Sequence, residues 1–375
     1  MIVRSTIDAL APLAISLRRA VGFDLGTRLY IPGTALRGAL AQAYLEEGGR
    51  PDDPAFQQVF VSEKVRFLDH RLNGAEHWPA SVMCCADHGD SHRLVDLLLL
   101  AGRNASLAAA QCPDCRAKLG RVQGFWQWAG DQGANPIAIL RVETRRVAHS
   151  AIDPRTLATA REQFFSSGVI CPGQQFAGSI RSESAAEAGL QEVLEKIRKR
   201  DGHIHLGRGR TRGQGLARFT ASQGSGSSEE ELKDRLQRMN KSMRCDGSIV
   251  FTVTLQSATL LYDEWLLARD LEAADLSPEF AGCQPAARFA STQVIAGWHA
   301  AAGLPKSEVT ALSPGSCYLF RLALDGREPE VELDRLARLL AEVENQGVGE
   351  RLSEGFGEVI ICSDAHTALW AAEGR

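Results

Sequence analysis

The sequence predicts an α+β protein built from two copies of a ferredoxin-like (RRM-like) unit. Three observations carry this expectation. The first 220 residues read as strand, helix, strands, helix, strand; a comparable order begins at residue 248; and a glycine-rich stretch precedes the closing strand of each half. At 375 residues the chain is also long for one core. The predicted units are residues 1–220, interrupted by a Cys/His-rich insertion at 79–120, and residues 248–375, joined by a linker at 221–247.

The opening strand is placed at 7–17, followed by a loop through Gly22, Asp24 and Gly26. In TRLYIPGTALRGALAQAYLEEGG a short strand meets a Pro32-Gly33 turn, and a helix capped by Thr34 stops at Gly48-Gly49. Leu36, Leu40, Ala43 and Tyr44 share one helical face, which is therefore core, and Arg37 lies off it. Strand-like pieces follow at 138–142, 169–171 and 175–180, with Pro172-Gly173 turning the chain, and then a helix at 184–200. GHIHLGRGRTRGQGLARF leads into the closing strand at 216–220, and Asp153 in Ala-Ile-Asp-Pro reads as a turn starter.

The linker is polar, opens with Gly and Ser, and continues as a charged helix. Beyond it lie a strand in SIVFTVTL, a second at 316–323, a helix at 331–343, and the ending NQGVGERLSEGFGEVIIC. Matching Gly207-x-Gly209 to Gly347-x-Gly349 sets Gly215 on Gly355 and Ala217 on Gly357, with a helix before and a strand after in both halves.

A net charge of −4 means that any nucleic-acid site must be a local basic track on a near-neutral body. Met1-Ile-Val-Arg runs into mixed sequence without an apolar leader, and the oily run at 97–101 is far short of a membrane span. A cytoplasmic protein with no membrane contact is expected. Nine cysteines fit a reduced compartment with free thiols and one metal site better than a disulfide framework.

The first glycine loop matches neither familiar phosphate loop. From Gly207 the third glycine of a dinucleotide fingerprint would fall on Arg212, and no Gly-Lys-Ser/Thr is present. Glycines that bare backbone N–H groups, interleaved with fork-shaped guanidinium groups, suit a phosphodiester backbone instead. Lys196, Arg198, Lys199 and Arg200 extend the positive strip. The N-terminus of the helix after Pro32 offers a second anion site, with free N–H groups, Thr34 and Arg37.

Cys112-Pro-Asp-Cys115 is a knuckle whose thiolates can share an ion, and Cys85-x-x-His88 supplies two further ligands. A structural zinc is expected there, with Cys84 and His92 as competing ligands. Four protein ligands leave no open position for zinc catalysis.

YIPGTALRGAL (30–40) resembles the signature of the RAMP subunits of CRISPR effector complexes, and GRGRTRGQG and GVGERLSEGFG are similar to their glycine-rich loops. The stretches 149–180 and 288–320 and the inserted CPDC pair fit the same pattern. In combination the chain resembles the type III-D RAMP subunit of the Cas5-like group. The resemblance implies a non-catalytic subunit in antiviral RNA-guided defence. Such a subunit grips the 5′ handle of the crRNA, seats the large subunit beside the backbone RAMP subunits, and lies near the target RNA. Carried onto this sequence, the RNA-contacting residues are Gly33, Thr34 and Arg37; Gly207, Arg208, Gly209, Arg210 and Arg212; and Arg351. The second loop is the less basic one, with Glu350, Glu354 and Glu358, and its alternative role is to pack domains or meet a protein partner.

The rival class is an enzyme. Asp24, in the loop before the first helix, is the candidate for target-RNA cleavage. His203 and His205, which alternate onto one face, are candidates for an endoribonuclease, with His149 as a further acid/base group. Trp126, Trp128 and Trp298 are read either as base-stacking groups or as packing residues.

Overall fold

Strand Ile2–Ala9 buries Val3, Ser5, Ile7 and Ala9 and turns the alternate residues outward, the period-two pattern of a sheet with one covered face. In the computed structural model, which describes residues 1–17, 24–103, 110–129, 137–152, 155, 159–243, 247–299 and 303–373, this strand is central in its sheet. It pairs antiparallel with Gln175–Ser182 on one side and Leu216–Gly224 on the other. His203–His205 and Val65–Phe67 add the flanking strands. Helices Gly33–Glu46 and Glu187–Lys199 cover one face, bringing Leu36, Leu40, Tyr44, Leu190, Val193 and Ile197 onto Ile7, Phe176 and Phe219.

Two local expectations are corrected here. The opening strand runs over Ile2–Ala9 instead of 7–17; beyond it Pro12 lacks an N–H for the ladder, and the chain continues only through isolated bridges such as Leu13 to Ile170. The first helix starts at Gly33 with Pro32 in the cap position, so Thr34 lies inside the first turn, exposed, and caps nothing.

In the second half Ser248–Leu255 lies between Cys317–Ala323 and Val359–Ile361, and Gln284–Phe289 adds the outer strand. Helix Pro329–Gln346 packs on this sheet together with Glu229–Met243. The latter falls within the expected linker. Leu232, Leu236, Met239 and Met243 recur every three or four residues and fill the second core, so the helix expected in this segment packs with the second half.

The insertion holds a three-stranded sheet of Val82–Cys85, Val95–Asp96 and Leu119–Arg121. Its short helix Leu97–Gly102 buries Leu98 and Leu99 in the second core. The C-terminal helix Asp364–Glu373 returns the contact, packing Ala365, Ala368 and Leu369 on Trp78, Val82 and Trp126. Two long hairpins, Thr144–Ile152 with Thr159–Ile170 and Thr292–His299 with Leu304–Leu312, complete the architecture.

The halves meet along a polar seam. Arg71 donates to both oxygens of Glu358, at 2.7 and 3.0 Å, and to the Gln256 carbonyl. Arg66 and Arg181 donate to the Asn345 carbonyl, and Arg181 also to that of Glu344, at the C-terminal end of helix Pro329–Gln346. Cations there satisfy carbonyls that the helix leaves free.

Candidate nucleic-acid interface

The two glycine loops share one backbone design. In the first, the Leu206 N–H donates to Gly215 O, Arg208 N–H to Ala14 O and Gly215 N–H to Pro12 O, at 2.8, 3.0 and 2.9 Å. In the second, Val348 donates to Gly357 O, Glu350 to Leu260 O and Gly357 to Ala258 O, at 2.9, 3.0 and 2.9 Å. Each loop holds one tight turn, Arg210–Arg212 between left-handed Gly209 and Gly213, and Leu352–Glu354 between left-handed Arg351 and Gly355. The equivalence therefore runs Gly207 to Gly349 and Gly215 to Gly357. It is displaced by two residues from the register expected from glycine spacing, because Arg351, at φ 57°, occupies the position of Gly209.

Both loops and the start of helix Gly33–Glu46 open onto one cleft of about 610 Å³. Thr34, Ala35 and Gly38 of the helix line it, as do His205, Gly207, Arg208 and Arg210 of the first loop. From the second half come Arg351, Glu354 and Phe356 of the second loop and Lys306 of the hairpin. Arg28, Tyr30 and Asp69 line it as well. None of these last three, nor Lys306 or Phe356, was nominated from the sequence: Arg28, Tyr30, Lys306 and Phe356 lie within the quoted stretches without a site signal of their own, and Asp69 lies outside them.

Of the nominated RNA contacts, Thr34, Gly207, Arg208, Arg210 and Arg351 line the cleft and the other four do not. Gly33 is buried; its N–H donates to Asp69 Oδ1 at 2.9 Å, and a Cβ on it would run into the Phe67 carbonyl. Arg37 reaches back to the Phe60 carbonyl at 2.5 Å, where it anchors the helix to the turn following it. Gly209 is half-buried against the Gln214 side chain, Arg212 is exposed on the crest of the loop, and the Arg212 guanidinium sits 6.0 Å from the Phe165 ring centre of the first hairpin.

The cleft is unevenly charged. Arg208 and Arg210 are exposed; Arg210 donates to the His205 carbonyl at 3.2 Å, and neither guanidinium has a carboxylate partner among the described residues. In the same cleft, Glu354 binds Arg351 through two hydrogen bonds, at 3.0 and 2.6 Å, and Lys306 at 2.9 Å. Burial raises the Glu354 pKa, but its hydrogen bonds and charge contacts with Arg351 and Lys306 outweigh burial and hold it below the usual range. The Arg351 guanidinium also lies 5.0 Å from the Phe356 ring centre. Burial pushes Asp69 up to about 7 against the opposing Gly33 N–H.

Among the described residues, the candidate histidines do not assemble. His203 Nδ1 lies 3.0 Å from the Arg200 carbonyl, and His149 Nε2 lies 2.9 Å from Ser167 Oγ with its ring stacked on Phe165. His205 alone of the three lines the cleft. Asp24 lies in a two-residue strand pairing with Ser166–Ser167, and its side chain, like Asp153, is outside the described residues. Trp126 is buried against Trp78, Trp128 is half-exposed, and the Trp298 side chain is outside the described residues.

In the insertion, Cys85, His92, Cys112 and Cys115 bring one ligand atom each within 4.8 Å of one another and can hold a metal ion. Cys85 Sγ and Cys115 Sγ are 3.5 Å apart, near the ~3.8 Å separation of two thiolates at ~2.3 Å from one tetrahedral zinc. Cys112 Sγ lies 3.4 Å from His92 Nδ1. The expected fourth ligand, His88, approaches Cys85 and Cys115 at 3.6 and 3.9 Å but stands outside this group, stacked on His92. Cys84 turns away toward the Arg121 carbonyl. Burial raises Cys112, but the N–H groups of Asp114 and Cys115 and the His92 ring bring it down to about 6, the direction a thiolate ligand needs.

A family model described as the RAMP superfamily matches residues 6–218, more than half of the chain. The chain belongs to the RAMP superfamily. Among solved structures, this RAMP chain matches one in the "Type III-B Cmr-beta bound to cognate target RNA and AMPPnP, state 1" at 12% identity and TM-score 0.43, covering 90% of this chain and 93% of that one. A chain of the apo Type III-B Cmr-beta matches at 14% identity and TM-score 0.36, over 60% of this chain and 98% of the other. One in a "Type IV-B CRISPR Complex" matches at 15% and 0.30, over 61% and 95%. No curated protein matches. Among the described residues, no helix is long and apolar enough to cross a membrane.

Proposed function

We propose that this RAMP protein is a non-catalytic subunit of a type III CRISPR effector, of the type III-D, Cas5-like kind, which grips the 5′ handle of the crRNA in the cleft. The observation that carries the reading is the convergence of both glycine loops and the YIPGTALRGAL helix on one cleft where Arg208 and Arg210 stand without carboxylate partners. Exposed guanidinium groups suit a phosphodiester chain, and the half-buried Tyr30 ring lines the same cleft. The shared loop hydrogen bonds, and the matching three-stranded cores around Ile2–Ala9 and Ser248–Leu255, support a tandem ferredoxin-like reading with the large subunit and backbone RAMP subunits as partners. The Cys/His group supports a structural zinc, held by Cys85, His92, Cys112 and Cys115.

The test is binding of the purified chain to a 5′-handle RNA and to a scrambled RNA across a salt series, with Arg208→Ala/Arg210→Ala/Arg212→Ala alongside. Handle-selective binding should collapse in the variant, and the slope of log K against log salt should fall by about 1.4, two cleft arginines at ~0.7 per phosphate contact on a single strand. Binding that ignores all three arginines would refute the cleft as the RNA site. For the zinc, metal analysis should find one ion per chain, lost in Cys112→Ser but kept in Cys84→Ser.

A further inference from the structure

The turn between Tyr262 and Ala268 points three consecutive apolar side chains into solvent: Trp265, Leu266 and Leu267 are 76%, 79% and 63% exposed. Single exposed apolar residues are ordinary, but a contiguous tryptophan and two leucines mark a contact surface. The turn is built to hold them there. Asp263 Oδ1 accepts the N–H groups of Trp265 and Leu267 at 2.9 and 2.8 Å, and the Asp263 N–H donates to the Leu267 carbonyl at 3.0 Å. Leu266 takes the left-handed conformation, at φ 59°. A Tyr262–Ala268 bridge closes the neck, and Arg269 pins the base through Asp275 at 2.7 and 2.5 Å.

The surroundings select the occupant. Residues 262–283 carry Asp263, Glu264, Asp270, Glu272, Asp275 and Glu279 against Arg269 as their one strong base. Arg288 and Arg335, from elsewhere, reach Asp270 and Glu279, which still leaves the apron acidic. RNA and anionic lipid are repelled from such a surface, whereas a protein pocket with an apolar floor and a Lys/Arg rim is complementary to it. Trp and Leu presented on a preformed turn lose little freedom on docking, as binding anchors should. We infer that Trp265-Leu266-Leu267 is a preformed knob that seats in an apolar, basic-rimmed pocket of a protein subunit in the same complex, opposite in chemistry to the RNA cleft. The inference rests on the effector-subunit reading for the identity of that complex.

The experiment coexpresses the tagged chain with the other subunits of its effector and a crRNA, as wild type and as Trp265→Ser/Leu266→Ser/Leu267→Ser, and reads protein and RNA content by native mass spectrometry. The substituted side chains are exposed, so the thermal midpoint of the isolated chain should not move. The variant should keep its RNA and retain roughly tenfold less of one protein subunit, the scale expected for a docking hot spot. A photoreactive side chain at position 265 should crosslink to that same subunit. Unchanged subunit content, a crosslink to RNA, or a wild-type homodimer that the variant breaks would each overturn the knob as a docking anchor for another subunit. A wild-type chain that recovers protein partners but no RNA would instead refute the cleft reading, while the loss of one subunit from the variant would still uphold the knob.

Discussion

The two glycine loops have the same backbone hydrogen bonds and opposite surfaces. Where the first carries Arg208, Arg210 and Arg212, the structural equivalents in the second are Glu350, Leu352 and Glu354. The first loop is exposed around a cleft; the second is pressed between the halves, with Gly355 against Gly33 and the Phe67 carbonyl and Glu358 on Arg71. One loop geometry therefore accommodates either an exposed, basic crest or a packed domain seam, and the side chains that follow each glycine set which.

The sharpest test of that division is at the seam. Glu358→Leu leaves Arg71 buried without its partner, and the loss in unfolding free energy should be about 3–5 kcal/mol. Arg71→Met/Glu358→Leu should recover most of it in the same denaturant titration, because the pair's desolvation cost then disappears. Burial raises the Glu358 pKa, but Arg71 outweighs it and holds the carboxyl below its ordinary value. The stability it supplies is therefore present at neutral pH and is lost as pH falls through that lowered pKa. If Glu358→Leu is as stable as wild type, the second loop is not a seam element.

Equivalent glycines give the next contrast. Gly213 and Gly355 close the tight turn of their respective loops, at φ 74° and 91°, but a Cβ at Gly213 meets open space whereas one at Gly355 collides with the Phe67 carbonyl. Gly213→Ala should cost about 1 kcal/mol, the strain of the left-handed region. Gly355→Ala adds overpacking and should cost about 3 kcal/mol. Equal thermal shifts would remove the distinction between a free loop and a packed one.

Moving the second loop's charges onto the first should break RNA binding while leaving the fold intact. Arg208→Glu/Arg212→Glu reproduces the residues at Glu350 and Glu354 on an exposed crest. RNA affinity should fall by roughly 30-fold at moderate salt, with the loss shrinking as salt rises. A stability loss like that of Glu358→Leu would show that the first loop, too, is structural.

These contrasts also show what was readable in the sequence. The core face of Leu36, Leu40, Ala43 and Tyr44 follows from helical spacing, and the existence of two glycine loops follows from composition. The register between the loops does not, because Arg351 takes a left-handed position that spacing rules assign to glycine. Nor does the place of His92 in the Cys/His group, since His88 has the better-known spacing and only the folded turn decides between neighbours that stack on one another. Asp69 had no local signal at all. It is a buried carboxyl whose partner, the Gly33 N–H, lies 36 residues from it in sequence.

The smallest effect is also the most informative about how the halves cooperate at the cleft. Glu354 ties Arg351 and Lys306 together at the cleft that Arg208 and Arg210 also line, engaging both cations and offsetting one of their two charges. Glu354→Gln keeps the shape and frees both charges. RNA affinity should rise about threefold at low salt and the salt slope should steepen by up to ~1.4, two further contacts at ~0.7 each. Mild acid should not mimic the mutation, because Arg351 and Lys306 hold the carboxyl below the usual range and keep it charged. Stronger binding with an unchanged slope would mean that Glu354 meets the ligand by shape or hydrogen bonding. Unchanged binding would confine the RNA to the first loop, and the second half would then contribute the wall of the cleft but none of its grip.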